Sequence, residues 1–211
     1  MKNYIFAYII TFCFAKEALA QDKGLEKYES YFNTNLKAWK NTFINFKLTN
    51  FKKESKNLKF ENIEADSNFD EFKDFLPDFY AIYKPLLSFS PDKNKFIDIY
   101  SYQLNLEKQG NKLLANPTME QSINLCHLKN RTWKRILFCG TYMWIDEIIW
   151  IDDFKFMLVG TENSKRRTPK ILIGDILTNH FEVYSNTNQD CYQKKQGYQS
   201  VKMKQMKIEG L

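Results

Sequence analysis

The side chains that most often do chemistry are scarce in this 211-residue chain. There are two histidines, His127 and His180, and four cysteines, Cys13, Cys126, Cys139 and Cys191. Cys126 beside His127 has the residue types of a thiolate nucleophile and its base. Neighbours on one strand face opposite ways, so the two cannot meet if both lie on a strand. Holding a turn at a strand end is the role expected of His127, and His180 is expected at the surface. Asp146, Glu147, Asp152 and Asp153 bracket an apolar run. Paired carboxylates can bind calcium or act as acid and base. However, no Asp-x-Asp-x-Asp loop with glycine accompanies them, and Asp152-Asp153 reads as a turn. Gly-x-Ser-x-Gly, His-Glu-x-x-His, phosphate-loop and zinc-ligand spacings are all missing from the sequence. No catalytic residue, metal or cofactor is therefore expected.

Aromatic residues offer more. Tyr100, Tyr102, Trp133, Tyr142, Trp144 and Trp150 cluster in the middle of the chain. On a strand over 95–104, alternation puts Asp98, Tyr100 and Tyr102 on one face. Exposed rings there would form a shallow platform for a glycan or a peptide, because rigid aromatics give large contact area at low entropy cost. Tyr142 and Trp144 follow Gly140 in a connection and are expected to be the least buried. Tyr100, Tyr102, Tyr142, Trp144 and His127 are the candidate binding residues. Lys165-Arg166-Arg167 is the one dense basic run; a solvated hairpin loop is preferred to a phosphate-contacting patch.

The elements that must position these residues differ between the two halves. Between 25 and 45, apolar residues at Leu25, Tyr28, Tyr31, Phe32, Leu36, Trp39 and Phe43 step by threes and fours, one face of a helix. The stretch 46–60 reads as a loop with a short strand. The spacing predicts a second helix over 68–83, ended or kinked at Pro77. Past Pro85, strands are predicted at 86–90, 95–104, 121–127, 132–138, 146–151, 154–161, 170–175 and 180–185. A last strand is expected over 201–208.

These eight strands form two similar sets of four. Phe96 maps to Phe156 at an offset of 60, and Leu125 to Ile173 at an offset of 48. The difference of 12 sits in the polar insertion 103–119, an expected binding surface or an extended hairpin. The order of short strands resembles β-propeller blades. Two blades cannot close a propeller, so the fold class expected is mainly β with N-terminal helices: two four-stranded antiparallel blade-like sheets, as a propeller-like fragment or a sandwich. The repeats span 86–138 and 146–185, and the helical part spans 21–84.

Residues 1–20 have the layout of a cleavable signal peptide: Lys2, the apolar run 4–14, and Ala18-Leu19-Ala20 before Gln21. The mature chain, 21–211, is expected to be one domain, periplasmic or secreted, without a membrane span and without nucleic acid as a partner. Removing Lys2, Lys16 and Glu17 takes the formal charge from +6 to +5. Three cysteines then remain, so at most one bridge forms within a monomer. The register puts Cys126 and Cys139 out of line with each other.

The segments Asp98-Ile99-Tyr100-Ser101-Tyr102-Gln103-Leu104 and 110–117, with the Trp150/Gly160 hairpin, resemble a family of small, exported, uncharacterised bacterial proteins. That resemblance implies export and no particular chemistry. The reading is an exported binding or interaction module, with glycan or protein at the envelope as partner. The alternatives are a hydrolase of cell-envelope or nutrient polymers, and a structural component of the envelope.

Overall fold

The computed structural model describes residues 24–64, 72–110, 112–163, 165–206 and 208–209, with side chains from 76 onward in the helix that begins at 72. Residues 1–20, expected to be a signal peptide, lie outside the described residues. The chain is mainly β, in antiparallel sheets accompanied by a few short helices.

The N-terminal helical period is realised in pieces: a 3₁₀ turn at Glu26–Tyr28, α1 (Glu29–Asn33) and α2 (Lys37–Lys40). Thr34 interrupts it. Its hydroxyl lies 2.9 Å from both the Ser30 carbonyl oxygen and Asn35 Oδ1, which share its one proton, a local bond that competes with a continuing helix. Leu25, Phe32, Leu36, Trp39 and Phe43 are nevertheless all buried. Short strands β1 (Phe51–Lys53), β2 (Leu58–Lys59) and β3 (Ile63–Glu64) follow. Helix α3 (Phe72–Tyr83) runs through Pro77, where an end or kink was expected.

Past residue 85 come β4 (Ser88–Phe89), β5 (Lys95–Asp98), α4 (Ser101–Leu104), β6 (Leu106–Gln109), β7 (Lys112–Ala115), β8 (Gln121–His127) and β9 (Thr132–Cys139). Then follow β10 (Met143–Trp150), β11 (Lys155–Asn163), β12 (Arg167–Asp175), β13 (His180–Asn186), α5 (Val201–Gln205) and β14 (Ile208–Glu209).

Two expected strands are corrected. The strand expected over 95–104 stops at Asp98, whose carboxyl oxygen accepts the Tyr100 and Ser101 N–H groups at 2.9 Å and holds the turn into α4. Asp98, Tyr100 and Tyr102 therefore do not share a strand face. The strand expected over 201–208 is α5 followed by the two residues of β14.

The two predicted quartets are two meanders, β4-β5-β8-β9 and β10-β11-β12-β13. β3 extends the first to five strands; β1 and β2, both paired with β13, bring the second to six. Their registers coincide. Phe89↔Phe96, Phe96↔Cys126 and Cys126↔Trp133 in the first correspond to Trp150↔Phe156, Phe156↔Gly174 and Gly174↔Phe181 in the second. The Leu128 N–H bonds the Asn94 carbonyl at 2.8 Å, as the Ile176 N–H bonds that of Phe154 at 2.9 Å. Arg131 and Asn179, also 48 apart, both have left-handed backbones, with φ of 53° and 56°.

The insertion 103–119 forms the end of α4 and the β6-β7 hairpin. It builds a three-stranded sheet with β14, which lies parallel to β7. Leu104, Leu106 and Ala115 tie it to the core.

The six-stranded sheet is buried on both faces. Met157, Val159, Ile171, Ile173 and Tyr184 pack on Leu25, Phe32, Leu36, Trp39 and Phe43. Phe156, Leu158, Leu172 and Phe181 turn the other way, into a core shared with Phe96, Ile97 and Ile123 of the five-stranded sheet and Phe79 of α3. β11 and β12 accordingly read as near-continuous apolar runs. Each of these large side chains contributes about 1.5–3 kcal/mol of burial.

Candidate functional site

Among the described residues β10 is an edge strand, paired with β11 on one side only. The Ile151 N–H reaches the Lys155 carbonyl at 2.8 Å. With Trp150 opposite Phe156, that bond fixes which backbone groups of β10 face β11. Those of Glu147 and Ile149 do; those of Ile148 and Trp150 point outward. β4 is the edge of the other sheet, and the Trp150 indole N–H donates to the Ser88 carbonyl at 2.9 Å, pinning the two edges together.

A groove of about 400 Å³ opens along this junction. Tyr31, Asn35, Phe89, Glu147, Tyr198 and Lys202 are among the residues that line it, with the β10 rim from 147 to 150 as its floor. It draws on four separate parts of the chain: the N-terminal segment, β4, β10 and the C-terminal segment around α5.

A bulge shapes the inner end. Ile145 lies opposite Gly160 and Glu147 opposite Val159, so Asp146 is an extra residue on β10. Residue 160 must be glycine, because a Cβ there would lie 1.8 Å from the Trp144 carbonyl oxygen. Asp146 accepts the Trp39 indole N–H at 2.9 Å, and its backbone carbonyl accepts the Tyr100 hydroxyl at 3.0 Å. Burial pushes its carboxyl up to about 7; the Glu147 charge adds to this, while the Trp39 bond and Arg167 oppose it. Glu147 accepts the Tyr198 hydroxyl at 2.7 Å and the Ser200 hydroxyl at 2.6 Å. Lys202 donates to the carbonyls of Leu86 and Leu87 at 3.4 and 3.3 Å. Burial holds its ammonium below the usual lysine range.

The two carboxylates are therefore engaged in different directions. Asp146 clasps the N-terminal segment and Glu147 the C-terminal one, and of the two only Glu147 lines the groove. This is the wiring of a clamp that holds two chain ends on a sheet edge, and not of an acid–base pair across a cleft.

The sequence candidates scatter. Tyr100 is buried at 3% exposure, contrary to an exposed platform. Tyr102 is 45% exposed, its ring 6.1 Å from Phe138, over which Arg135 lies at 5.0 Å. Tyr142 is 62% exposed beside Gly140, and Trp144 is half-buried opposite Thr161. Phe138, next to Cys139, lies near the Gln121 end of β8, and His127 at the other end, about 20 Å away along the strand. His127 Nδ1 is buried without a hydrogen-bond partner, and burial lowers the ring's pKa. Its counterpart Asp175 holds its turn, accepting the N–H groups of Leu177 and Thr178. Asp152 likewise accepts those of Phe154 and Lys155, as a turn residue would.

The three described cysteines are buried and free. Burial raises Cys126 and Cys139 to about 12 and Cys191 to about 11, so none is a thiolate near neutral pH. Among the described residues no group of three His, Cys, Asp or Glu side chains could hold a metal ion, and no helix is long and apolar enough to cross a membrane.

The groove was hidden from pattern reading because Tyr198 and Lys202 lie past the last strand of the repeat. Trp150 was the one lining residue the aromatic count had singled out. Comparison with protein-family models, with curated proteins and with solved structures finds no match for this chain.

Proposed function

We propose that this protein is an exported binding module that takes an extended polypeptide along the outer rim of β10. The observation that carries the reading is the edge of the eight-residue strand β10, unpaired among the described residues and opening into a groove walled by Tyr31, Phe89 and Tyr198. Outward main-chain groups at Ile148 and Trp150 would bond an added strand, and the flanking rings would select its side chains. A clamp at Asp146 and Glu147 that fixes both chain ends suits a rigid, pre-formed receptor. Export rests on the signal-like residues 1–20, and the family resemblance agrees with it. We also infer that the meanders descend from one duplicated blade-like unit, on the strength of their shared registers and of the paired left-handed turns at Arg131 and Asn179.

A displayed library of random twelve-residue peptides, selected on the immobilised full chain, tests the binding. Peptides of alternating apolar and polar residues should be enriched. Val201→Glu, at a rim position 52% exposed, should weaken the selected peptides at least tenfold. Failure to enrich any peptide, or full binding by the variant, would overturn the reading.

A further inference from the structure

The Lys165-Arg166-Arg167 run, read from sequence as a solvated loop, does not stand alone. The Gln193 N–H donates to the Arg167 carbonyl at 2.8 Å and brings Lys194 and Lys195 beside it. Arg166, Arg167, Tyr192, Gln193, Lys194 and Lys195 together line a groove of about 550 Å³. The second segment is fixed in place. Gln193 bridges to Phe43, the Lys194 N–H bonds the Thr42 carbonyl at 2.8 Å, and Lys194 Nζ bonds that of Asn41 at 2.7 Å. The Arg166 guanidinium lies over the Tyr192 ring at 4.5 Å, which orients its fork of donors.

The charge is concentrated here. Taking these four cations and Lys165 from the formal +6 leaves +1 for the rest of the chain. Elsewhere cations meet carboxylates: Lys53 with Glu182, Lys95 with Asp92, Arg135 with Glu61, Lys170 with Glu54. No such ion pair is made by Arg167, Lys194 or Lys195 among the described residues.

We propose that this groove is a binding site for a ligand carrying several phosphate groups close together. Guanidinium forks match phosphate oxygens in pairs, and two lysines supply point charges around them. The volume exceeds what a single phosphate fills, and the fixed backbone spares the ligand the ordering of a loop. The site uses none of the β10 groove residues and is independent of the peptide reading.

The test is calorimetric titration of the full chain with inorganic tripolyphosphate at 50 mM salt. Binding should weaken at least tenfold at 300 mM salt, as screening shortens the reach of the charges. Arg167→Gln should weaken it about tenfold, and Arg167→Gln with Lys195→Gln about a hundredfold, with both variants folded by circular dichroism. Lys155→Gln, at the far end of β11, should leave it unchanged. Flotation with phosphatidylglycerol vesicles against pure phosphatidylcholine separates the sources. Binding to the former that tripolyphosphate displaces assigns the site to a membrane headgroup; tripolyphosphate binding without flotation assigns it to a soluble ligand. Absence of tripolyphosphate binding, or an equal loss in Lys155→Gln, would overturn the proposal.

Discussion

Replacing Asp146 by asparagine should stabilise this protein progressively as pH rises above about 5. The carboxyl is buried behind the β10 bulge with its pKa raised from 3.8 to about 7. Between those values the unfolded chain releases a proton that the folded chain keeps. The stability this group contributes is thus fully present below about pH 3.8 and is lost as pH rises through about 7. Each pH unit across that window removes about 1.36 kcal/mol, so roughly 4 kcal/mol is gone by pH 8. Asparagine retains an oxygen to accept the Trp39 indole N–H and cannot ionise. Its buried NH₂ group costs part of the gain, about 1–3 kcal/mol if it finds no acceptor. A net gain of about 2 kcal/mol at pH 8 is the expected result. Urea unfolding of both proteins at pH 4.5, 6 and 8 measures it, since every other titrating group is common to the two. A variant about 1 kcal/mol less stable at pH 4.5, about equal near pH 5 and more stable at pH 8 supports the reasoning. A pH-independent difference, or a variant less stable at pH 8, would refute it.

Other perturbations separate the packing claims. Gly160→Ala drives a Cβ into the Trp144 carbonyl and should cost about 3 kcal/mol or more by chemical denaturation. Arg131→Asn relieves a left-handed backbone that Asn179 already adopts comfortably, and should raise stability by about 1 kcal/mol. Cys126, Cys139 and Cys191 should resist iodoacetamide at pH 7.5 in the native protein and react fully in urea; rapid native labelling of Cys126 would contradict its buried, protonated state.

Most strands of the second half were legible because runs rich in β-branched and aromatic residues lie between turns, although β11 and β12 are near-continuous apolar runs and β5 ends at Asp98. The helical run at 25–45 was legible as a buried face but not as pieces, since Thr34 and Asn35 break it through side-chain bonds that periodicity does not register. Asp98 misled for a related reason. In a row of Ile and Tyr it reads as one more strand residue, whereas its carboxyl ends the strand and holds the turn into α4. The groove was illegible because it joins four segments distant in sequence. Its key residue, Glu147, reads as one of four acids bracketing an apolar run until Tyr198 and Ser200 are brought to it. The basic groove was half legible: Lys165-Arg166-Arg167 is visible in the sequence, but only the bond from the Gln193 N–H to the Arg167 carbonyl shows that Lys194 and Lys195 join it.

Residue-resolved amide exchange on the full chain, with and without a selected peptide, probes the edge of β10 itself. The Ile148 and Trp150 amides should exchange fast alone and slow at least tenfold on binding, while Glu147 and Ile149, already bonded to β11, change little. Protection confined to another strand, or none anywhere, would contradict strand addition at this edge.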